Sequence, residues 1–196
     1  MPEALDFLNT LSASAPDDLF GYLWTIGPNG AKRTLWYPLG DEMSAPAERA
    51  VALSDEGHNV YWGVSAAAAA GTPHQRVEAK GSAGIFALWA EVDWGDSEAH
   101  QKTALPPTSE DAMSVLAATG LEPTIIINSG HGLHAWWVLG DFWRFENELE
   151  RSRAAGLELA WQTTVKARAA ERGWVVDSVF DLARVLRVPG TKNFKS

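Results

Sequence analysis

Glu91-Val92-Asp93 closes an apolar run, IFALWA. If that run is a strand, residues two apart project to one face, so Glu91 and Asp93 stand side by side with Trp89 while Val92 points the other way. Carboxylates so placed repel, and each is costly at the end of a buried strand unless a cation lies between them. Hard oxygen donors at this spacing suit Mg²⁺ or Mn²⁺, whose shells are completed by water and substrate phosphate. Taken alone, such a pair is more often a strand running out into an acidic loop, here WGDSE.

A second group is Ser129-Gly130-His131-Gly132-Leu133-His134, between two apolar stretches. Its glycines allow a sharp turn with amide N–H groups free to meet an anion. His131 and His134 look like a metal pair, but residues three apart on a strand face opposite sides, so a shared ion is not expected. His134 begins LHAWWVL on the face of Trp136, with one nitrogen available to a phosphate or a developing negative charge. Without further support this is a hairpin turn with one surface and one core histidine.

The third group is Asp177, Asp181 and the following ARVLRVPGTKN. Asp177 ends an expected strand, WVV, and Asp181 is placed to cap a helical turn from Leu182 to Leu186. On that turn Arg184 and Arg187 share a face, and the loop PGTKN offers Thr191, Lys192 and Asn193 as donors. Arginine's planar fork is a natural grip for a triphosphate. Ion pairing of Asp181 with Arg184 or Arg187 explains the charges but not the loop.

The elements around these groups can be read from period and punctuation. PEALDFLNTLSA has helical spacing; FGYLWTI and RTLWYPL flank GPNG as a hairpin; SAPAERAVAL is a short helix with Ser44 as its cap. HNVYWGVS is a strand, followed by a long small-residue connection and the buried strand GIFALWAEVD. A helix starts at Thr108 or Ser109 and stops at Gly120, and PTIIINSG with GLHAWWVLG forms a second hairpin. From Phe142 to about Arg172, with Leu149, Leu157, Leu159, Trp161 and Val165 along it, the chain reads as one long helix or two. Mixed elements joined by hairpins favour α+β with a largely antiparallel sheet. The tryptophans Trp89, Trp136 and Trp137 sit in apolar strands and read as core rather than as stacking surfaces.

Composition bounds the function. The 196 residues contain no Cys, which excludes disulfides, iron–sulfur clusters and Cys-ligated zinc. No apolar run approaches the ~20 residues of a membrane helix, and MPEALDFLNTL has acids where an export signal needs bases, so a cytoplasmic address is expected. A net charge of −9 argues at first against phosphate-rich partners. The average conceals an asymmetry. Seven basic and twenty-one acidic residues occur through residue 150, nine and four after it, and the run from Arg184 through Arg187 and Lys192 to Lys195 has no acid. That asymmetry is a reason to look for a local anion site, though composition alone favours a solvated helix face with a basic tail.

In this order and spacing the three groups resemble the archaeo-eukaryotic primase (AEP) superfamily, specifically the primase-polymerase domains of phage, plasmid and mobile-element replication proteins. The family pattern is acid-x-acid, then Ser-Gly-x-Gly-x-His, then apolar-Asp leading into Arg-x-x-Arg-x-Pro-Gly-Thr-x-Asn. Here these read EVD, SGHGLH, and VVD with RVLRVPGTKN, over about residues 55–196. The first acid is Glu where many relatives have Asp.

The resemblance implies a two-lobed α+β core whose sheet, similar to an RNA-recognition motif and flanked by helices, carries the metal carboxylates. Residues 1–196 would form one catalytic domain, 1–55 without motifs and 56–196 as the motif-bearing core. It would be the N-terminal part of a longer replication protein with a helicase or accessory priming module beyond it. By the same likeness Glu91, Asp93 and Asp177 hold two Mg²⁺ or Mn²⁺ ions, with Asp181 as the alternative third acid and no zinc in this chain. Ser129, His131, Gly132 and His134 would meet the incoming nucleotide's phosphates, and Arg184, Arg187, Thr191, Lys192 and Asn193 would serve its distal end. The implied activity is template-dependent transfer of ribo- or deoxynucleotides from triphosphates onto a primer strand, on single-stranded DNA. Two other classes compete. A non-catalytic replication initiator would keep the fold without the acids. A metal-dependent nuclease or nickase would need a His-apolar-His pair and a nucleophilic Tyr, whereas Tyr22, Tyr37 and Tyr61 lie outside the three groups.

Overall fold

A computed structural model describes residues 2–40, 42–95 and 104–194. Lys195 and the acidic stretch expected after Trp94, from residue 96, lie outside the described residues. The elements in order are α1 (Pro2–Ser12), β1 (Phe20–Ile26), β2 (Lys32–Pro38), α2 (Ser44–Asp55), β3 (Asn59–Gly63) and β4 (Ser65–Ala67). After a single 3₁₀ turn come β5 (Ser82–Asp93), α3 (Ser109–Ala117), β6 (Ile125–Asn128), β7 (Gly132–Arg144), α4 (Glu148–Ala170) and β8 (Val185–Arg187).

The eight strands make one sheet in the order β6-β7-β5-β4-β1-β3-β8, with β2 on β1, and every described pairing is antiparallel. This is the α+β architecture expected. The stretch without motifs is part of the sheet, since β1 pairs with β2, β3 and β4.

Alternation along β5 and β7 decides which side of the sheet does what. Ala90 and Val92 of β5, with Leu133, Ala135 and Trp137 of β7, pack under α3 and α4 against Ala112, Val115, Leu116, Trp161 and Val165. The opposite side carries Trp89, Glu91 and Asp93 facing Trp136, His134 and Gly132 in register. There α1 covers the tryptophan end, Phe7 meeting Trp136 edge to face at 5.4 Å. Trp89 and Trp136 are fully buried and Trp137 nearly so, as core residues should be. Although β8 lies at the far end of the strand order, its Arg187 N–H donates to His134 Nδ1 on β7 at 3.1 Å. The sheet therefore curls until β8 lies over the face bearing the carboxylates.

Three local expectations are corrected, and the buried side of the long helix is added to them. Phe142 and Trp143 belong to β7, held by pairing of β7 with Gly84 and Ile85 and by Phe86 against Phe142 at 5.3 Å, so the helix starts only after the Asn147 cap. Leu149, Leu157 and Leu159 are exposed; the buried stripe of α4 is Ala154, Glu158, Trp161, Gln162, Val165 and Ala169. Ser44 is the first residue of α2 rather than its cap, and its hydroxyl donates to Glu42. Finally, WVV is not a strand, and no helix follows Asp181. Residues 174–181 are irregular, Asp181 Oδ1 accepts from Ala183 N (2.9 Å) in a tight turn, and Val185–Arg187 joins the open edge of β3. β-Branched and apolar residues at a waiting strand edge outweigh a helical period only five residues long.

Candidate active site

Glu91 and Asp93 occupy one face of β5, as alternation requires, and both are partly buried. Glu91 is the centre of an ion cluster. Its Oε1 lies 3.3 Å from His134 Nε2, and its Oε2 accepts from the Arg184 guanidinium. Burial would raise the Glu91 pKa, but the His134 imidazole against it and the positive Arg184 hold it down at about 2. The carboxylate is fully ionised at neutral pH.

His134 is 4% exposed and has both nitrogens engaged. Because Nδ1 accepts a backbone N–H, the ring proton belongs on Nε2, pointing at Glu91. The nitrogen expected to be available to a phosphate is thus committed to Glu91 in this arrangement.

Gly132 lies opposite Asp93, and the two approach too closely for any other residue. A Cβ on Gly132 would stand 2.3 Å from Asp93 Oδ1 and 3.0 Å from both Asp93 Cα and the Val92 carbonyl oxygen. In the same turn Ser129 N and Oγ both bond the Gly132 carbonyl, Gly130 takes a left-handed φ of +93°, and exposed His131 accepts from Trp94 N through its carbonyl. His131 and His134 do not converge.

Arg187 is almost wholly buried, and its fork is directed at the protein. It donates to the Lys192 carbonyl (2.8 Å), Asn193 Oδ1 (2.8 Å), Asn59 Oδ1 (3.1 Å) and the Tyr61 hydroxyl (3.3 Å), with the Tyr61 ring 5.0 Å away. Asn193 in turn donates to the Ser129 carbonyl at 2.7 Å, which ties the loop after β8 to the glycine turn. Lys192 reaches Asp55 and Thr191 bonds the Val188 carbonyl. Arg187 therefore organises the donor loop from within. Asn59 and Tyr61, its partners from β3, were not singled out by the sequence, since nothing local marks a polar residue in a strand as the receiver of an arginine 126 or more positions away.

Asp177 and Asp181 are exposed, on the irregular segment before β8. Among the described residues no three metal-capable side chains stand together as they would around an ion. The donors nonetheless fit a divalent cation in kind: two hard carboxylates on one face, one held ionised and paired with a guanidinium, the other in a recess that only glycine permits. Beside the cluster a cleft of about 490 Å³ opens between α1, β6 and the loop after β8, with Glu3 and Asp6 on its rim and Phe7, Asn128 and Arg187 lining it. Those two acids disfavour a phosphate there.

No protein-family model matches the chain, and no curated protein matches it. Among solved structures it is similar to the AEP domain of a cyanophage S-2L primase-polymerase, with a TM-score of 0.54 and 18% identity, over 94% of this chain and 82% of that one. Weaker similarities are to a crystal structure of primase RepB′ (TM-score 0.49, 15% identity, 97% of this chain and 51% of that one) and to the RepB′ catalytic domain in complex with initiator DNA (0.48, 14%, 96% and 77%). The first of these shows the fold: the antiparallel α+β sheet described above is similar to that of the cyanophage domain.

Proposed function

We propose that this domain is a primase-polymerase, transferring nucleotides from triphosphates onto a primer strand on single-stranded DNA. The observation that carries the reading is the meeting of Glu91, Asp93, Gly132 and His134 on one face of β5 and β7, with Arg184 and Arg187 brought to it by β8. Residues from three separate sequence groups have no packing reason to converge there, and the fold is that of a domain in a phage primase-polymerase.

In this reading Glu91 and Asp93, joined by Asp177, hold two Mg²⁺ or Mn²⁺ ions. When bound, these ions lower the pKa of the attacking 3′-hydroxyl and neutralise the departing pyrophosphate. The protein's own work is positioning. His134 fixes the Glu91 carboxylate through Nε2 while β8 fixes His134 through Nδ1. Exposed His131 would present to the triphosphate the turn that Ser129 and Gly132 close, and exposed Lys192 would offer its ammonium from a loop that Arg187, Thr191 and Asn193 hold in place. Arg184, a third exposed beside Glu91, would supply its guanidinium to a phosphate oxygen of the triphosphate.

An assay with a single-stranded template, nucleotides and Mg²⁺ or Mn²⁺, with and without primer, tests the reading. Products longer than the input support it, and Glu91→Ala or Asp93→Ala should abolish them while the circular dichroism spectrum is unchanged. Shorter products would point to a nuclease. No product with retained DNA binding would point to an initiator.

A further inference from the structure

The strand carrying Glu91 and the irregular segment carrying Asp177 are joined by one buried amide. On its side away from β7, β5 pairs with β4 only as far as Ile85. Farther along that edge the backbone of Trp89 is met by side chains of α4. Trp89 N–H donates to Glu158 Oε2 (3.3 Å), and the Trp89 carbonyl accepts from Gln162 Nε2 (2.6 Å). Gln162 Nε2 also donates to Glu158 Oε1 (2.7 Å), and its Oε1 accepts from Val179 N (3.4 Å). The circuit closes through the Trp89 indole, whose Nε1–H donates to the Val179 carbonyl at 2.7 Å. Glu158, Gln162 and Trp89 are all fully buried.

This clamp grips the chain two residues beyond Asp177 and two residues before Glu91. The grip is needed because residues 174–181 belong to no helix or strand, so no ladder of backbone bonds sets their course. Upstream, Val175 N–H is held by the Ala104 carbonyl at 2.7 Å; downstream, Val179 is held on both its N–H and its carbonyl. Asp177 sits midway between the anchors. Trp89 projects to the same face as Glu91, so the downstream anchor lies on the carboxylate side of the sheet. An apolar residue at 162 would fill the space but leave Trp89 O and Val179 N without these partners, and a second acid would face Glu158.

We infer that Gln162 is a positioning residue for Asp177, fixing the third carboxylate relative to Glu91 and Asp93 through Trp89 and Val179. The inference rests on the proposed role of Asp177 as a metal ligand, and the experiment keeps the two apart. Mn²⁺ affinity of the full chain, without nucleotide or DNA, is measured by the loss of the free-ion paramagnetic resonance signal for wild type, Asp177→Ala, Gln162→Met and the double variant. Asp177→Ala and Gln162→Met should each weaken Mn²⁺ binding at least fivefold, and the double variant should bind no more weakly than Asp177→Ala, because Gln162 acts through Asp177. Wild-type affinity in Gln162→Met beside a weakened Asp177→Ala overturns the inference and leaves the function standing, as does a double variant whose losses multiply. Wild-type affinity in Asp177→Ala overturns the role of Asp177 itself, and the inference with it. If Gln162→Met does not fold, Trp89→Phe, which removes the indole N–H together with the rest of its five-membered ring, enters the same cycle with the same expected outcome.

Discussion

At Gly132 a single missing atom group lets the backbone of β7 come against the Asp93 carboxylate. A methyl group there would lie 3.0 Å from backbone atoms of β5 as well as on Asp93 Oδ1, so rotating the carboxylate away does not relieve it. Gly132→Ala should therefore cost about 1–3 kcal/mol in denaturant unfolding and displace Asp93. Nucleotide transfer should fall by more than the lost folded fraction explains; activity tracking the folded fraction would detach Asp93 from the chemistry. The glycine and both acids were legible in the sequence because alternation and turn chemistry are local. Arg187 was legible as a charge but not as a hub, because its partners Asn59 and Tyr61 come from β3. A lysine offers no planar fork to reach Lys192, Asn193, Asn59 and Tyr61 together, so Arg187→Lys should destabilise the domain by about 2–4 kcal/mol. Chemical denaturation checks this, and a near-neutral result would mean that the buried fork is dispensable.

Among the elements, α4 has the least obvious design. Read by its leucines it is an amphipathic helix, yet Leu149, Leu157 and Leu159 face solvent while Glu158 and Gln162 are fully buried. The signal was present in the spacing: positions 154, 158, 161, 162, 165 and 169 follow the helical period, with two polar residues inside it. The course of residues 174–188 was not legible. It is set by Trp89, by the Ser65 hydroxyl on the Leu182 carbonyl and by the edge of β3, all more than 80 residues away. The buried glutamate has a measurable consequence. Burial pushes the Glu158 pKa up to about 8 from an ordinary 4.5, against the opposing hydrogen bonds from Gln162 and Trp89. Since the folded value lies above the unfolded one, the stability tied to a protonated Glu158 is whole below about pH 4.5 and is lost as pH climbs through about 8. The slope between them approaches about 1.4 kcal/mol per pH unit. Glu158→Gln, whatever its absolute stability, should flatten the profile, so across pH 5, 6.5 and 8 the unfolding free energy of the wild type should fall relative to that of the variant. Parallel profiles would show that Glu158 is ionised within the fold.

For the whole molecule, the charge of −9 is neither a barrier to nucleic acid nor neutral toward it. The basic C-terminal quarter is drawn inward by the fold: Arg184 to Glu91, Arg187 to a buried set of partners, Lys192 to Asp55. Arg153, Lys166 and Arg172 stay exposed along α4 and just beyond it, but near the carboxylates few of the described cations are then left to neutralise template phosphates. If two or three do so, the logarithm of affinity for single-stranded DNA should fall against the logarithm of salt with a slope of about −1.5 to −2, or about tenfold between 50 and 200 mM. On the proposed function such a domain would bind template weakly by itself and would depend on metal and triphosphate to hold the strand at the carboxylates. Fluorescence anisotropy of a labelled oligonucleotide over that salt range, with Mg²⁺ and with or without nucleoside triphosphate, measures both statements. Affinity should be low without nucleotide and rise when it is added. Tight binding that resists salt would require contact through bases instead of phosphates, and would move the interface to exposed rings such as Phe180 and Phe194.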